Sequence, residues 1–340
     1  MKVCIYGAGA MGTVFGAYIA ETVDVDLVSR NRAHIEALKK NGAVIIGETN
    51  KNIPVSALLV DEMKEPYDII FLMTKQLENE SVVKSLVPFL KEDGVICTMQ
   101  NGLPEHSVSK VIGEERTLGC AMAWGATLHE GGVVQLTTKD SYDTLTFSLG
   151  SFSELKHPLF DEVYRILSLM GKTTVEENWI GARYAKLMIN SAFSGLSVVL
   201  DLTFGEIAKD KQTRKYAQAI LKECIDVAKQ GHIKIEKIQG KDAVKLLDYH
   251  SKFKKWISYQ IIPIAMKKHQ MIKSSMLQDL ERGRKCEIHA INGVVSSFGK
   301  EFGYPTPWND QIVKIVEGFE RKENRPGLHN LKILESWASL

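Results

Sequence analysis

Three glycines, Gly7, Gly9 and Gly12, stand in the run GAGAMG directly after the apolar stretch Val3-Cys4-Ile5-Tyr6. Each serves a dinucleotide differently: Gly7 permits a tight turn, Gly9 lets backbone approach a pyrophosphate, and Gly12 allows close helix–strand packing. With Ala8, Ala10 and Met11 between them, the opening helix offers unpaired N–H groups and a positive dipole end to phosphates. Such a run alone is a weak signal, because glycine-rich turns also arise for structural reasons. At the first strand–helix junction of a βαβ unit it is much stronger. The next strand, residues 25–28, ends in Ser29-Arg30, with Arg32 two residues on. An acid there would bond a ribose 2′-hydroxyl, whereas an arginine accommodates a 2′-phosphate. Asp24 and Asp26 come too early for the ribose, so Ser29 with two arginines favours NADP(H). The plainer alternative is two solvated arginines at a helix start. Further strands end in Thr74-Lys75-Gln76 and Gln100-Asn101-Gly102, which brings Lys75 and Asn101 to the carboxyl edge where ligands bind in such sheets.

A second group lies far downstream. Residues 179–200, WIGARYAKLMINSAFSGLSVVL, read as a helix with Lys186, Asn190, Ser194 and Ser197 on one stripe. A lysine on a helix this apolar is expected to be partly buried and to need a carboxylate, its own or a substrate's. The pattern alone fits a surface lysine with polar neighbours equally well. Ser274-Ser275-Met276-Leu277-Gln278-Asp279 leads on to Glu287, read here as lying on a helix that continues through Ala290-Ile291-Asn292-Gly293. Glu287 is a natural partner for Lys186.

The elements carrying these groups alternate strand and helix through the first half: strands at 3–6, 25–28, 67–73 and 95–99, helices at 11–21, 32–40 and up to Leu90. Pieces at 44–46 and 53–55 belong to a loop-rich excursion. That rhythm means a parallel sheet covered by helices on both faces. From about Gly119, segments 119–126, 133–138 and 144–149 suggest an antiparallel extension, followed by a helix at 157–170 and a last strand at 172–175. Beyond Glu177 amphipathic stretches at 179–200, 213–230, 242–272, 284–302 and 308–323 make the chain all-helical. The expected architecture is α/β, a doubly wound Rossmann-type sheet over 1–177 with a helical domain over 178–340.

Composition narrows the function classes. The chain has 340 residues, 44% apolar and 25% charged, with a net charge of +2, so no basic field for nucleic acid is expected. No run of about 18 apolar residues suggests a membrane span, and the N-terminal apolar stretch is too short for a signal sequence. Cys4, Cys97, Cys120, Cys224 and Cys286 lack CxxC spacing, which argues for reduced thiols in a cytoplasmic protein and against a structural metal. His129, His289, Trp124 and Trp179 read as structural residues, and the Lys252–Lys255 charge run as a solvated helix face.

Taken together, GAGAMG, MTK, QNG, KLMIN and SSMLQDLERGRKCEIHAING resemble the ketopantoate reductase family, in order and over nearly the whole chain. The resemblance implies NADPH-dependent reduction of a 2-oxo acid, 2-dehydropantoate, in a cleft between a Rossmann domain and a helical one. By position, Lys186 matches the general acid and Glu287 the carboxylate that orients it and contacts substrate and cofactor. Asn190, Ser194 and Ser275 match substrate-binding positions, and Lys75 and Asn101 positions near the cofactor and reaction centre. Two departures stand out: Ser194 and Phe204 replace asparagines of the family pattern, and the region 230–272 is longer than usual. Losing two amides favours a more apolar 2-oxo acid, so the alternatives are a sibling D-2-hydroxyacid dehydrogenase or a non-catalytic NADP-binding sensor. A small-molecule partner is expected and no membrane; a homodimer is left open.

Overall fold

The computed structural model describes residues 1–238 and 240–338 and divides into two compact units, Met1–Trp179 and Ile180–Leu340. The first unit runs β1 (Val3–Tyr6), α1 (Ala10–Ile19), β2 (Val25–Ser29), α2 (Arg32–Asn41), β3 (Ala43–Gly47), β4 (Lys51–Ile53), β5 (Ser56–Leu59), β6 (Tyr67–Leu72), α3 (Asn79–Leu86) and β7 (Leu90–Thr98). It continues with α4 (Glu105–Ile112), β8 (Thr117–Met122), β9 (Ala126–Leu128), β10 (Val133–Leu136), β11 (Phe147–Ser151), α5 (Phe160–Ser168) and β12 (Thr173–Val175). Eight strands form the main sheet in the order β12-β11-β8-β7-β6-β1-β2-β5.

Period-two alternation explains why helices cover both faces. Val3, Ile5, Ile69 and Phe71 face one core with Phe15 of α1, Leu38 of α2 and Phe160 of α5. Their neighbours Cys4, Tyr6, Ile70 and Leu72 face the other with Val83 of α3 and Val108 of α4. β5, β2, β1, β6, β7 and β8 are mutually parallel. Their carboxyl ends therefore share one edge, and the chain leaves β1 for β2 on one side and returns to β6 on the other.

The antiparallel extension is smaller than expected. β8 joins β7 in parallel, and β11 is the antiparallel strand against β8, with β12 parallel to β11. Residues 133–136 instead enter a separate four-stranded sheet, β4-β3-β10-β9, where β10 pairs in parallel with β3. Buried His34 of α2 ties this sheet to α1. Its Nδ1 accepts the Gly132 N–H at 3.1 Å, so Nε2 carries the proton towards Thr13 Oγ1 at 2.9 Å. All five cysteines are buried, and no disulfide joins them among the described residues.

The second unit is helical: α6 (Trp179–Leu200, starting on the last residue of the first unit), α7 (Phe204–Lys209), α8 (Lys211–Gln230), α9 (Ala243–Leu247), α10 (Lys252–Ala265), α11 (Ser275–Glu281), α12 (Asn292–Glu301), α13 (Pro307–Glu320) and α14 (Leu331–Ala338). α8 packs against α7, α10, α12 and α13. The expected helix over 242–272 is broken, since Asp248 ends α9 and Ser251 caps α10 through the Lys254 N–H. Lys252, Phe253, Lys254 and Lys255 are all exposed. No helix among the described residues is long and apolar enough to cross a membrane.

Candidate active site

Four loops meet the shared carboxyl edge of the parallel strands. Gly7, just beyond β1, has φ +112°, and a Cβ there would lie 2.5 Å from Thr74 N and 2.6 Å from Met73 C. Gly7 is thus demanded both by backbone conformation and by the close passage of the loop after β6. Gly12 is demanded by packing: its Cβ would meet Gly7 O at 2.5 Å. Gly9 differs, because the nearest atom to a Cβ there is Gly7 O at 4.0 Å. The protein's own sterics do not require glycine at that position, which leaves the space open to a ligand. Gly9 caps α1 without a side-chain hydrogen bond, and the first turn carries no acid. Ala10, Met11 and Gly12 open that helix. An uncapped N-terminus, no negative charge and a clear approach fit a dinucleotide pyrophosphate.

At the end of β2, Ser29 Oγ accepts the Asn31 N–H at 3.2 Å and Arg30 is exposed. Arg32 lies 3.8 Å from Glu36 on its own helix, an ordinary surface pair. Asp26 is buried and accepts hydrogen bonds from Tyr67 and Ser56, with Lys2 3.6 Å away, so it is committed to the fold.

Lys75 is exposed after β6, and Asn101 is half-buried after β7. A buried amide cluster, not foreseen from sequence, holds their loops together. Gln100 Nε2 donates to Thr74 O at 2.8 Å and to Asn79 Oδ1 at 2.8 Å, while Asn79 Nδ2 returns a bond to Gln100 Oε1 at 3.1 Å. Gln76 Nε2 donates to Asn101 O at 2.7 Å. The QNG run was the available signal for Gln100; nothing in the sequence singled out Asn79.

In the second unit, α6 is buried on nearly every side. Over residues 181–200 only Ala182, Lys186, Ile189, Asn190 and Ser194 are half-exposed, and they fall on one stripe. Ser197 does not belong to it: the side chain is buried and its Oγ accepts the Ser274 N–H at 3.0 Å. That bond anchors the start of α11, where Ser275 is exposed, onto α6. Glu287 is buried, but it precedes α12 rather than lying on it. A 3-10 turn, Ile288–Ala290, separates the two, because Ile291 adopts φ −114° and ψ −90° and interrupts the helix. Neighbouring Cys286 N–H donates to Glu320 of α13 at 2.9 Å. Asn292, first in α12, donates from Nδ2 to Ser191 O on α6 at 3.0 Å. The segments carrying Ser275 and Glu287 are thus both fastened to the helix that carries Lys186 and Asn190.

The ketopantoate reductase PanE/ApbA family model matches residues 3–148, and its C-terminal counterpart matches residues 178–320. The chain belongs to the ketopantoate reductase family. It is an oxidoreductase using a nicotinamide cofactor. A 2-dehydropantoate 2-reductase of Pyrococcus horikoshii is 29% identical over 94% of this chain and 98% of that protein. One from Archaeoglobus fulgidus is 28% identical over 94% and 98%. Among solved structures, a D-mandelate dehydrogenase with NADH and anilino(oxo)acetate has TM-score 0.80 at 24% identity, covering 95% of this chain and 99% of that one. A PanE/ApbA family ketopantoate reductase from Ralstonia eutropha has TM-score 0.79 at 22% identity, with coverage of 95% and 99%. At these identities the structures establish the shared fold.

For this ketopantoate reductase family member, the remaining residues weighed from sequence all have contacts within the fold. His129 Nε2 lies 2.9 Å from Gln135, and His289 lies 3.2 Å from Glu317. Trp124 packs edge-on to Phe147, and Trp179 lies over Gly119 and Gly150 with its N–H donated to Glu105 at 3.1 Å. Phe204 is buried, its ring 5.7 Å from that of Phe193 on α6.

Proposed function

We propose that this chain catalyses NADPH-dependent reduction of a 2-oxo acid, 2-dehydropantoate, to D-pantoate. The observation that carries the reading is the single accessible stripe of α6, where a lysine, an amide and a hydroxyl are the polar groups on an otherwise buried helix. Gly7 to Gly12 with the opening of α1 would hold the pyrophosphate, Ser29 and Arg30 the 2′-phosphate, and Lys75 and Asn101 the nicotinamide side. The chemistry a bound reduced nicotinamide supplies is a hydride to C2. Lys186 donates its proton to the C2 oxygen, and its positive charge stabilises that oxygen as negative charge develops. Glu287 orients the ammonium group. Asn190, Ser194 and Ser275 bind the substrate's polar groups and fix which face of C2 is presented, so that a single enantiomer of the product forms. One proton leaves Lys186 per turnover and is replaced from solvent.

Replacing Lys186 by Ala tests the reading. The expected result is a kcat about 10²–10⁴-fold lower, with NADPH affinity retained by the first unit's residues. Near-normal turnover would remove Lys186 from the mechanism.

A second reading keeps the reaction and changes the substrate. Ser194 occupies the open stripe where the family pattern has an asparagine, and the ring of Phe204 sits on Phe193, the residue beside it. Fewer amides beside an aromatic pair suit a 2-oxo acid with an apolar side chain.

A further inference from the structure

Behind the open stripe of α6, a line of buried hydrogen bonds crosses four helices. The Glu223 carboxylate on α8 accepts the backbone N–H groups of Trp308 at 2.7 Å and Asn309 at 3.0 Å, in the first turn of α13. The same carboxylate accepts Asn309 Nδ2 at 2.8 Å. Asn309 Oδ1 accepts Asn292 Nδ2 at 3.0 Å, and that nitrogen's other bond goes to Ser191 O at 3.0 Å. Asn292 and Asn309 are 0% exposed.

Two features show that Asn292 is not simply filling space. First, both protons of its amide are committed, so its orientation is fixed, yet among the described residues no donor reaches its buried Oδ1. A buried acceptor without a donor is unfavourable, and an apolar residue would avoid it. Second, α6 carries a glycine where the amide arrives. A Cβ on Gly195 would lie 2.9 Å from Asn292 Oδ1 and 3.1 Å from Nδ2. Glycine in mid-helix is itself a cost, and here it clears the approach for the amide.

The position of this joint gives it a role. Ser191 adjoins Asn190 and lies five residues after Lys186; Glu287 lies five residues before Asn292. Resting on the assignment of Lys186 as acid, we propose that Asn292 is a positioning residue. With Gly195 clearing its path and Asn309 and Glu223 fixing its amide, it holds the segment carrying Glu287 at one register along the helix carrying Lys186 and Asn190. A small slip between them would misplace acid and carboxylate relative to the substrate.

A double-mutant cycle on the full-length enzyme tests this. Asn292→Ala should lower kcat about 10–100-fold, as misplacement by about 1 Å does, while KM and the NADPH dissociation constant change less than about threefold. Gly195→Ala, which keeps the amide but displaces it, should give the same split and replaces the first variant if that one fails to fold. In a Lys186→Ala background, Asn292→Ala should lower kcat far less, because the acid against which the Glu287 segment is registered is gone. Thermal unfolding of each variant with and without NADPH checks that the folded fraction is the same. Equal fold-losses in both backgrounds would mean that Asn292 only supports the fold, and would overturn the proposal while leaving the acid assignment standing. Normal turnover of Lys186→Ala alone would overturn the assignment and, with it, the positioning role.

Discussion

The glycines of the first loop serve different masters, and substitution should separate them. Gly7 sits at φ +112° against the backbone of Met73 and Thr74. Gly7→Ala should therefore destabilise the protein by about 1–3 kcal/mol, visible as a lower thermal midpoint without any ligand. Gly9 has open space around its missing Cβ. Gly9→Ala should leave the unliganded midpoint within about 0.5 kcal/mol of the parent and weaken NADPH binding in titration calorimetry. Undiminished affinity would show that the space is not the pyrophosphate's. Arg30, exposed just after β2, is the residue proposed to select the cofactor. Losing a charge-assisted bond is worth about 1.5–3 kcal/mol, so Arg30→Ala should raise the KM for NADPH by tenfold or more. Its KM for NADH should hold, and parallel increases for both cofactors would contradict the assignment.

At the scale of elements, the strands that carry the site were readable because each is a mainly apolar run ending in glycines or polar residues: VCIY into GAG, YDIIFLM into TKQ, VICTM into QNG. The second sheet was not. Its pieces at 44–46 and 133–138 read as strands, but β10 pairs with β3 from about ninety residues away, with Val133 opposite Val44, and no local spacing encodes that pairing. The run from Glu287 through Gly293 reads as one helix, whereas Ile291 interrupts it between Glu287 and α12. The joint of Asn292, Asn309 and Glu223 was illegible for a plainer reason: three helices bring it together, and no spacing encodes that. Burial pushes the Glu223 carboxyl from 4.5 up to about 7, outweighing the three N–H groups that favour its charge. Between those values the folded state keeps a proton that the unfolded state has lost. Its contribution is therefore most favourable below about 4.5 and declines as pH rises through about 7, by about 3 kcal/mol at 1.36 kcal/mol per unit. Glu223→Gln should flatten that part of the stability–pH curve, and an unchanged slope would assign it to other groups. His34 works in the opposite direction. Burial lowers its pKa, and Nδ1 is an acceptor, so the fold holds it neutral. Stability should fall as pH drops through the ordinary histidine value of about 6.5, and His34→Gln should reduce that loss in acid unfolding curves.

Across the whole molecule, the work divides between two units that each have their own architecture. The first is a doubly wound sheet whose parallel strands bring four loops to one edge, with open space at Gly9 and an uncapped helix beside it. The second is a helical unit around α8, with α6 buried except for one stripe whose polar residues are Lys186, Asn190 and Ser194. The family match spans both, so cofactor and proton chemistry belong to one oxidoreductase. The order of motifs along the chain was enough to place both halves in that family. The substrate is the finer question, because Ser194 and Phe204 stand where the family pattern has asparagines. The most direct measurement is steady-state oxidation of NADPH and of NADH against 2-dehydropantoate and a panel of branched and aromatic 2-oxo acids. The highest kcat/KM is expected for 2-dehydropantoate with NADPH. A clear preference for an apolar 2-oxo acid would contradict the substrate assignment, and no sustained oxidation with any 2-oxo acid would contradict the reaction itself.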